Sequence, residues 1–244
     1  MEHAADVGLA PDVIVTTGAA QTRAVQQRTQ PIPIVFVGDR VATGVVRSVA
    51  RPEGNTTGIT NLFSSVAGKW LELLKEAVPS VARVALIFDP QFSVAEIYAA
   101  SIEAAATAAA IKTIRGPVHN TAEIERAIDA LAAEPNGGLI AVPPPLASAY
   151  RELILRLAVQ HRLPVVVGDN DAAESGLMSY GPHRAELFRS GASYVDRVLR
   201  GTKPGELPVQ FPTKFELVIN LKTAKAMGLT IPESFLLRAD AVIE

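Results

Sequence analysis

Small and polar residues follow most of the apolar, strand-like runs of this sequence, and they are the candidates for ligand chemistry. Hydroxyl groups and small residues follow the first run, and a carboxylate follows each of three later runs. In open α/β sheets, ligands bind beyond the carboxyl ends of parallel strands, where helices begin. The candidate binding residues are Thr16, Thr17, Gly18, Ala19, Ala20, Gly38, Asp39, Arg40, Asp89, Phe92, Ser93, Pro143, Asp169, Asp171 and Tyr180.

The chemistry of these residues suits a small zwitterion. The hydroxyls of Thr16 and Thr17, with the N–H groups of the helix that follows, can hold a carboxylate without a basic side chain. The carboxylate of Asp169 or Asp171 can pair with an ammonium group, and either aromatic residue of the set can stack on an apolar side chain. The set therefore predicts binding of an amino-acid-like ligand.

The same residues also allow purely structural interpretations. Thr17 can be the N-cap of a helix that runs to about Arg28, because a threonine hydroxyl accepts a backbone N–H bond there. Asp39, Asp89 and Asp169 follow strands, where turn chemistry alone favours aspartate. Their common position at the ends of strands is what favours the binding interpretation.

Catalytic motifs are absent from the sequence. It contains no nucleophile elbow, no phosphate-binding P-loop and no dinucleotide fingerprint. Cysteine is absent, and His3, His119, His161 and His183 are too far apart in sequence to form a paired metal-ligand motif. We therefore expect no enzyme activity, no metal and no cofactor.

Charge and hydropathy argue against two further classes of protein. The net charge is -2 and no run of Lys or Arg is longer than two, whereas nucleic-acid binding needs a basic face. The longest apolar runs fall far short of the ~20 residues that a membrane-spanning helix needs. A chain of 244 residues is long enough for one large domain or two smaller ones.

Short apolar runs alternate with longer helical stretches, and unbroken apolar runs are typical of strands covered on both faces. The predicted strands are Asp12–Thr16, Pro33–Val37, Arg83–Phe88, Lys112–Arg115, Gly138–Val142, Pro164–Val167, Leu177–Tyr180 and Phe215–Asn220, with a loop at 52–58 before a short segment at 59–62. The predicted helices are Thr17–Arg28, Val41–Ser48, Ser64–Ala77, Val94–Ala110, Thr121–Ala133, Ala147–His161, Arg184–Leu199, Leu221–Met227 and Ser234–Val242. This order predicts an α/β fold with two doubly wound parallel-sheet lobes.

Long ordered strings of this sequence resemble one family, the substrate-binding proteins of ABC transporters of the tryptophan/tyrosine-binding type. The resemblance covers essentially the whole chain. The strings that carry it are Ile32–Asp39, Gly44–Val46, Arg51–Thr60, Tyr180–Pro182, Ala192–Pro204 and Leu207–Lys225.

The resemblance implies a type I periplasmic binding-protein fold, whose two lobes close on a ligand. The lobes would comprise residues 1–62 with 178–212, and residues 63–177 with 213–244. It also implies a solute-binding component of an ABC importer, which binds an amino acid, aromatic ones included, and delivers it to a membrane permease. Such a protein is periplasmic or lipid-anchored outside the cytoplasm.

Two departures from the family pattern qualify these expectations. Asp39-Arg40 stands where family members usually have Asp-Pro. Family members also begin with an export signal and about two strands and a helix before the region that matches Asp12, and this sequence as given has neither. We therefore expect an incomplete first lobe whose exposed sheet edge leads to self-association.

Two alternative functions remain open at this point. A ligand-sensing regulatory module on the same fold would need a DNA-binding or membrane segment in the same reading frame, and the sequence contains none. A small α/β enzyme would need catalytic residues that converge only in space, because no catalytic motif is present.

Overall fold

Strands in the described part of the chain form two sheets, one for each of two compact units. The computed structural model describes residues 9–39, 44–61, 64–91, 93–142, 150–168 and 176–244. One unit comprises Met1–Phe63 and Pro182–Lys214, and the other comprises Ser64–Gly181 and Phe215–Glu244. The chain therefore passes from one unit to the other three times.

The helices and strands alternate along most of the chain. In order, they are β1 (Ile14–Thr16), α1 (Ala19–Gln26), β2 (Ile34–Asp39), β3 (Thr56–Thr60), α2 (Ser64–Ala77), β4 (Arg83–Phe88), α3 (Ser93–Ala108), β5 (Lys112–Pro117), α4 (Thr121–Ala132), β6 (Gly137–Ala141), α5 (Arg151–Gln160), β7 (Val165–Val167), β8 (Met178–Pro182), α6 (Arg184–Leu199), a 3-10 turn (Pro204–Glu206), β9 (Phe215–Asn220), α7 (Leu221–Met227), α8 (Glu233–Leu236) and β10 (Ala241–Ile243).

The unit boundaries differ slightly from those of the lobes expected from the sequence. Residues 178–181 belong to the second unit and residues 213–214 to the first, whereas the sequence-based lobes place them the other way round. That the two units act as lobes around a ligand stays a prediction.

The sheet of the first unit has the order β1-β2-β3, and its strands are parallel. The central strand β2 is buried on both faces. Val35 and Val37 pack in a cluster with Tyr194 and Val198 of α6, while Ile34 packs with Val25 of α1. Because successive side chains of a strand point to opposite faces, α1 and α6 cover opposite faces of this sheet. The unbroken apolar run of β2 is therefore a consequence of double-sided burial.

Strand β3 covers residues for which the sequence predicts a loop. A Cβ atom on Gly58 would lie 2.0 Å from the carbonyl oxygen of Phe36 in the neighbouring strand. The glycine that suggests a turn is thus needed for close approach of two backbones. At the end of β3, Thr60 donates a backbone hydrogen bond to the carbonyl oxygen of Gln210 over 2.9 Å.

The sheet of the second unit has the order β10-β9-β8-β7-β6-β4-β5 among the described residues. Strands β4 to β8 are parallel to one another. A Cβ on Gly137 of β6 would meet Leu131 of α4, and one on the next residue, Gly138, would meet Leu74 of α2. Helices α2 and α4 therefore cover opposite faces, as a doubly wound sheet requires.

The last two strands are parallel to each other and reverse direction relative to β8. Asn220 donates a backbone bond to Leu177 over 2.9 Å, and His183 donates one to Lys214 over 3.0 Å. Along these two bonds the residue number rises in one segment while it falls in the other, which is the pattern of antiparallel strands. The carboxyl end of β9 consequently lies at the edge of the sheet opposite to that of β8.

Two predicted helices are wrong in the parts that the structure describes. Residues 44–47 form bends and residue 48 is not helical either, because Gly44 has a φ of 76° and the carbonyl oxygen of Val45 accepts a bond from Gln26 Nε2 over 2.7 Å. Residues 41–43 lie outside the described residues. The terminal helix ends at Leu236, because Asp240 exchanges hydrogen bonds with Leu217 and aligns β10 beside β9.

Within the described ranges, each helix is too short or too polar to cross a lipid bilayer.

Candidate functional site

The first unit brings several predicted residues to one edge of its sheet. Since β1, β2 and β3 are parallel, their carboxyl ends share an edge. Thr16 ends β1, Asp39 ends β2, and α1 begins just beyond Thr17 and Gly18. The structure therefore places the predicted residues 16–20, 38 and 39 together at this carboxyl edge.

Thr16 has a structural bond that the sequence does not reveal. Its side chain is only 5% exposed, and its Oγ1 lies 2.7 Å from Oγ1 of Thr22. Thr22 Oγ1 also lies 3.1 Å from the carbonyl oxygen of Gly18, to which it donates. This pair fixes the first turn of α1 against β1, so the hydroxyl of Thr16 is engaged within the protein.

The predicted N-cap at Thr17 is wrong, because Gly18 occupies that position in an extended conformation. Both the backbone N–H and Oγ1 of the exposed Thr17 donate to Oε1 of Gln21, each over 3.2 Å. Gly18 supplies no side-chain cap, and the first turn of α1 carries no acidic residue. The N–H groups of Ala19 and Ala20 therefore form a positive helix end without a competing carboxylate.

The end of β2 contains an irregularity that shapes this edge. Gly38 has a φ of 74°, and the pairing of β2 with β3 shifts between Val37 and Asp39. A positive φ of this size favours glycine, which explains the residue type at position 38. The irregularity moves Asp39 out of the regular register, as bulges beside functional sites often do.

Asn61 is a residue of this edge that the sequence analysis missed. It directly follows β3, and its Nδ2 lies 3.7 Å from the position that a Cβ on Gly38 would occupy. Its Oδ1 is buried and accepts no hydrogen bond from any described residue. A polar residue directly after a strand is the signal that identifies it, and the mistaken boundary of β3 concealed that signal.

The second unit has its own carboxyl edge, where β4 stands between β5 and β6. The chain order reverses there, which is the usual position of a ligand site in an open parallel sheet. Asp89 follows β4, is half-buried, and accepts a hydrogen bond from the backbone N–H of Gln91 over 2.9 Å. Ser93 begins α3. Asp89 thus makes the turn that its structural interpretation predicts.

Tyr180 lies near the end of β8 in a well-defined position. Its ring stacks on that of Phe215, with centroids 5.7 Å apart and planes at 22°. Its carbonyl oxygen accepts a hydrogen bond from Nε1 of Trp70 over 2.7 Å. The ring is half-buried, so the tyrosine presents an ordered aromatic surface.

Five predicted residues lie outside the described residues, so their roles stay predictions. They are Arg40, Phe92, Pro143, Asp169 and Asp171. They include both carboxylates predicted to pair with an ammonium group. Among the residues that the structure does describe, no three His, Asp or Glu side chains are grouped as a metal site requires.

These features define a class of protein, the two-unit α/β proteins with the type I periplasmic binding-protein fold. The sequence model for "ABC transporter substrate binding protein" matches residues 5–243. The chain belongs to this family, whose members are extracytoplasmic.

The chain is also similar to several proteins with known names or solved structures. A tyrosine-binding protein of Clostridioides difficile is 24% identical over 227 residues, which are 89% of this chain. The match spans 63% of that relative's length. A solved structure of a conserved domain protein from Vibrio cholerae has a TM-score of 0.86 and 28% identity, over 98% of this chain and 81% of that one.

A further solved structure shares the fold at lower identity. A domain from Streptococcus pneumoniae in complex with L-Trp has a TM-score of 0.83 and 23% identity, and the likeness covers 99% of this chain and 84% of that one.

Proposed function

We propose that this protein binds a free amino acid and serves as the solute-binding component of an ABC importer. The observation that carries the proposal is the uncapped N-terminus of α1, at the carboxyl edge of the first unit's sheet, in a chain of this family. The tyrosine-binding relative and the neighbour that holds L-Trp support an aromatic amino acid as the ligand.

Each end of the ligand has a chemically suitable group in this chain. The N–H groups of Ala19 and Ala20 would hold the carboxylate, because helix N-termini attract anions. Asp169 or Asp171 would pair with the ammonium group, and Tyr180 would contact an apolar side chain. No step of bond making or breaking is involved, so we propose a binding protein and not an enzyme.

The partners and location follow from the same proposal. An importer component works outside the cytoplasm and delivers its ligand to a membrane permease. Self-association through the outer edge of β1 stays a separate prediction, for which light scattering at micromolar concentration is the test. A strictly monomeric mass with a cooperative melt would contradict it.

Thermal unfolding with each of the twenty amino acids tests the proposal. A ligand at 100 times its Kd adds about 2.7 kcal/mol to the stability of the folded state. For a chain of this size, that corresponds to roughly 5–10 °C in Tm. We expect such a shift with L-tyrosine or L-tryptophan and none with neutral sugars. Absence of a shift with all twenty would refute the amino-acid proposal.

Mass spectrometry of the ligand after incubation tests the absence of catalysis. A binding protein returns the amino acid unchanged, whereas an α/β enzyme would convert it. Conversion that Asp89→Ala abolished without loss of binding would favour the enzyme alternative.

A further inference from the structure

Asn61 has a side-chain oxygen for which the described part of the chain provides no partner. The residue directly follows β3 at the carboxyl edge of the first unit's sheet. Its Oδ1 is buried without a hydrogen bond to any described atom. Buried amide oxygens without a partner oppose folding and are rare in native proteins, so each one calls for an explanation. A bond to a group from outside the chain is such an explanation.

The described residues, which do not include 62 and 63, give this amide no local structural role. Asparagine after a strand commonly makes a turn in which Oδ1 accepts a backbone N–H, and the oxygen of Asn61 accepts none from the described residues. Asn55, just before β3, is different. Its Nδ2 donates to the carbonyl oxygens of Thr29 and Ile32, and its Oδ1 accepts from Thr56.

Asn61 can also turn toward a ligand. The residue as a whole is partly buried and not fully enclosed, and the terminal torsion of an asparagine side chain is soft. With no bond to hold Oδ1, rotation about χ2 brings it to the surface at low cost. The same rotation in Asn55 would break three hydrogen bonds.

The spacing between β1 and β3 is close to the span that an amino acid's charged end needs. Asn61 follows β3 and the N-terminus of α1 follows β1, and these two strands are separated by two strand spacings of about 4.8 Å each. In an amino acid, the carboxylate and the ammonium group are attached to the same carbon by two bonds of about 1.5 Å each. With a hydrogen bond of about 2.9 Å at each end, the two protein groups that bind them would be roughly 8–9 Å apart.

We propose that Asn61 Oδ1 accepts a hydrogen bond from the ammonium group of the bound amino acid while the N-terminus of α1 holds the carboxylate. This inference rests on the proposed function and assigns to the first unit a contact for each charge of the ligand. An ammonium group has three N–H donors, so a bond to Asn61 leaves two of them for other acceptors.

Calorimetric titration of the full 244-residue chain with L-tyrosine and L-tryptophan tests the inference. We expect Asn61→Ala to weaken binding by about 10- to 100-fold, because a hydrogen bond to a charged group is lost. Asn61→Asp keeps an acceptor and adds a negative charge beside the ammonium, so its Kd should stay within threefold of the wild-type value or fall.

Asn55→Ala is the matched control. Asn55 lies at the other end of β3, and its side-chain amide donates hydrogen bonds to two backbone carbonyl oxygens. The control variant should lower the Tm of the free protein and leave the Kd unchanged, whereas Asn61→Ala should leave that Tm unchanged or raise it. An affinity loss below tenfold in Asn61→Ala, a similar loss in Asn61→Asp, or a Tm of Asn61→Ala as low as that of Asn55→Ala would each overturn the inference.

The same titrations distinguish the inference from the function on which it rests. If the wild-type chain binds neither L-tyrosine nor L-tryptophan, both the aromatic assignment and this contact fail. If the wild type binds and Asn61→Ala binds equally well, only the contact fails.

Discussion

The indole Nε1 of Trp70 donates a hydrogen bond to the carbonyl oxygen of Tyr180 over 2.7 Å, and so joins helix α2 to the end of strand β8. Trp70 is 2% exposed and packs on the ring of Tyr98 at 5.3 Å between centroids. This single side chain thus positions the backbone of a candidate ligand residue from within the core. A buried tryptophan N–H requires such a partner.

Replacement of Trp70 by Phe should therefore destabilise the protein by about 2–3 kcal/mol, because it leaves a cavity and an unpaired carbonyl oxygen. Urea unfolding followed by circular dichroism measures the change. Tryptophan fluorescence cannot be used, because the variant lacks the only tryptophan of the chain. An unchanged midpoint would contradict the anchoring role. We also expect the variant to bind aromatic amino acids more weakly, because Tyr180 loses its fixed position.

Two adjacent threonines offer a test of binding against structure at the start of α1. Thr16→Val removes the buried hydroxyl pair with Thr22 and should cost about 1 kcal/mol of stability with little effect on ligand affinity. Thr17→Val changes an exposed residue and should alter stability by less than about 0.5 kcal/mol while it weakens binding. Thermal unfolding and calorimetric titration of both variants separate the two roles. Equal effects of the two changes would contradict this division.

Properties fixed by single strands could be predicted from the sequence, and properties fixed by contacts between segments could not. The apolar run at 34–37 predicts β2 because burial on both faces leaves no polar position. Strand β3 was missed, because its glycine meets the neighbouring backbone and only the paired strands reveal that need. Residues 241 and 242 favour a helix by local pattern, yet bonds between Asp240 and Leu217 make them part of a strand.

The candidate site shows the same limit. Residues 16–20, 38 and 39 do share one edge of the sheet, as their positions after strands predict, and that they bind a ligand stays a prediction. The sequence could not reveal that Thr16 bonds Thr22, because six residues is not a helical spacing and the pair forms only when β1 packs on α1. Nor could it identify Asn61, since an amide oxygen without a partner is a property of the surroundings and not of the residue type.

Gly191 in α6 lies where a larger residue should destabilise the first unit. A Cβ at this position would lie 2.4 Å from Cγ2 of Val37, a stiff side chain in the core of the first unit. Gly191→Ala should therefore lower stability by about 1–2 kcal/mol, since overpacking outweighs the gain in helix propensity.

Gly68 of α2 provides the opposite case. A Cβ there would meet Ala105 at 3.5 Å, an ordinary contact, so Gly68→Ala should raise stability by about 0.5–1 kcal/mol. Chemical denaturation of both variants gives the comparison. A gain in stability for both would show that α6 can move away from β2.

Arg83 is expected to be a structural arginine of the second unit. It is 8% exposed, and its Nη2 donates to the carbonyl oxygens of Leu131, Glu134 and Pro135. These carbonyls lie at and beyond the end of α4, where backbone acceptors have no partner within the helix. Arg83→Met should cost about 2–4 kcal/mol, because the charged donor is lost and the acceptors remain.

Arg83→Lys should recover only part of this stability, because its single ammonium nitrogen cannot replace both Nη2 at the carbonyl oxygens and Nη1, which lies 3.5 Å from the carboxylate of Glu134. Arg126→Met is the matched control on α4, since Arg126 is exposed and should change stability by less than about 0.5 kcal/mol. Hydrogen exchange at residues 131–137 should increase in both Arg83 variants and stay constant in the control.

The carboxylate of Glu103 should give the protein a measurable dependence on acid. Both of its oxygens bond Arg115, which also bonds Glu96. The side-chain hydrogen bond from Arg115 lowers the pKa of Glu103 below the ordinary value of 4.5. The unfolded chain therefore takes up a proton at higher pH than the folded chain does, and acid favours unfolding. The contribution is complete above about pH 4.5 and is lost as the pH falls through the lowered pKa.

Glu103→Gln should consequently be less stable than the wild type at pH 7, by less than about 1 kcal/mol because the pair is partly exposed. The difference should shrink between about pH 4.5 and pH 3 and also in 1 M salt, where the screening length is about 3 Å. Glu125→Gln, which changes an exposed carboxylate of α4, is the control. A Glu103→Gln difference that stayed constant from pH 7 to pH 3 would show that packing, and not charge, accounts for the contribution of Glu103.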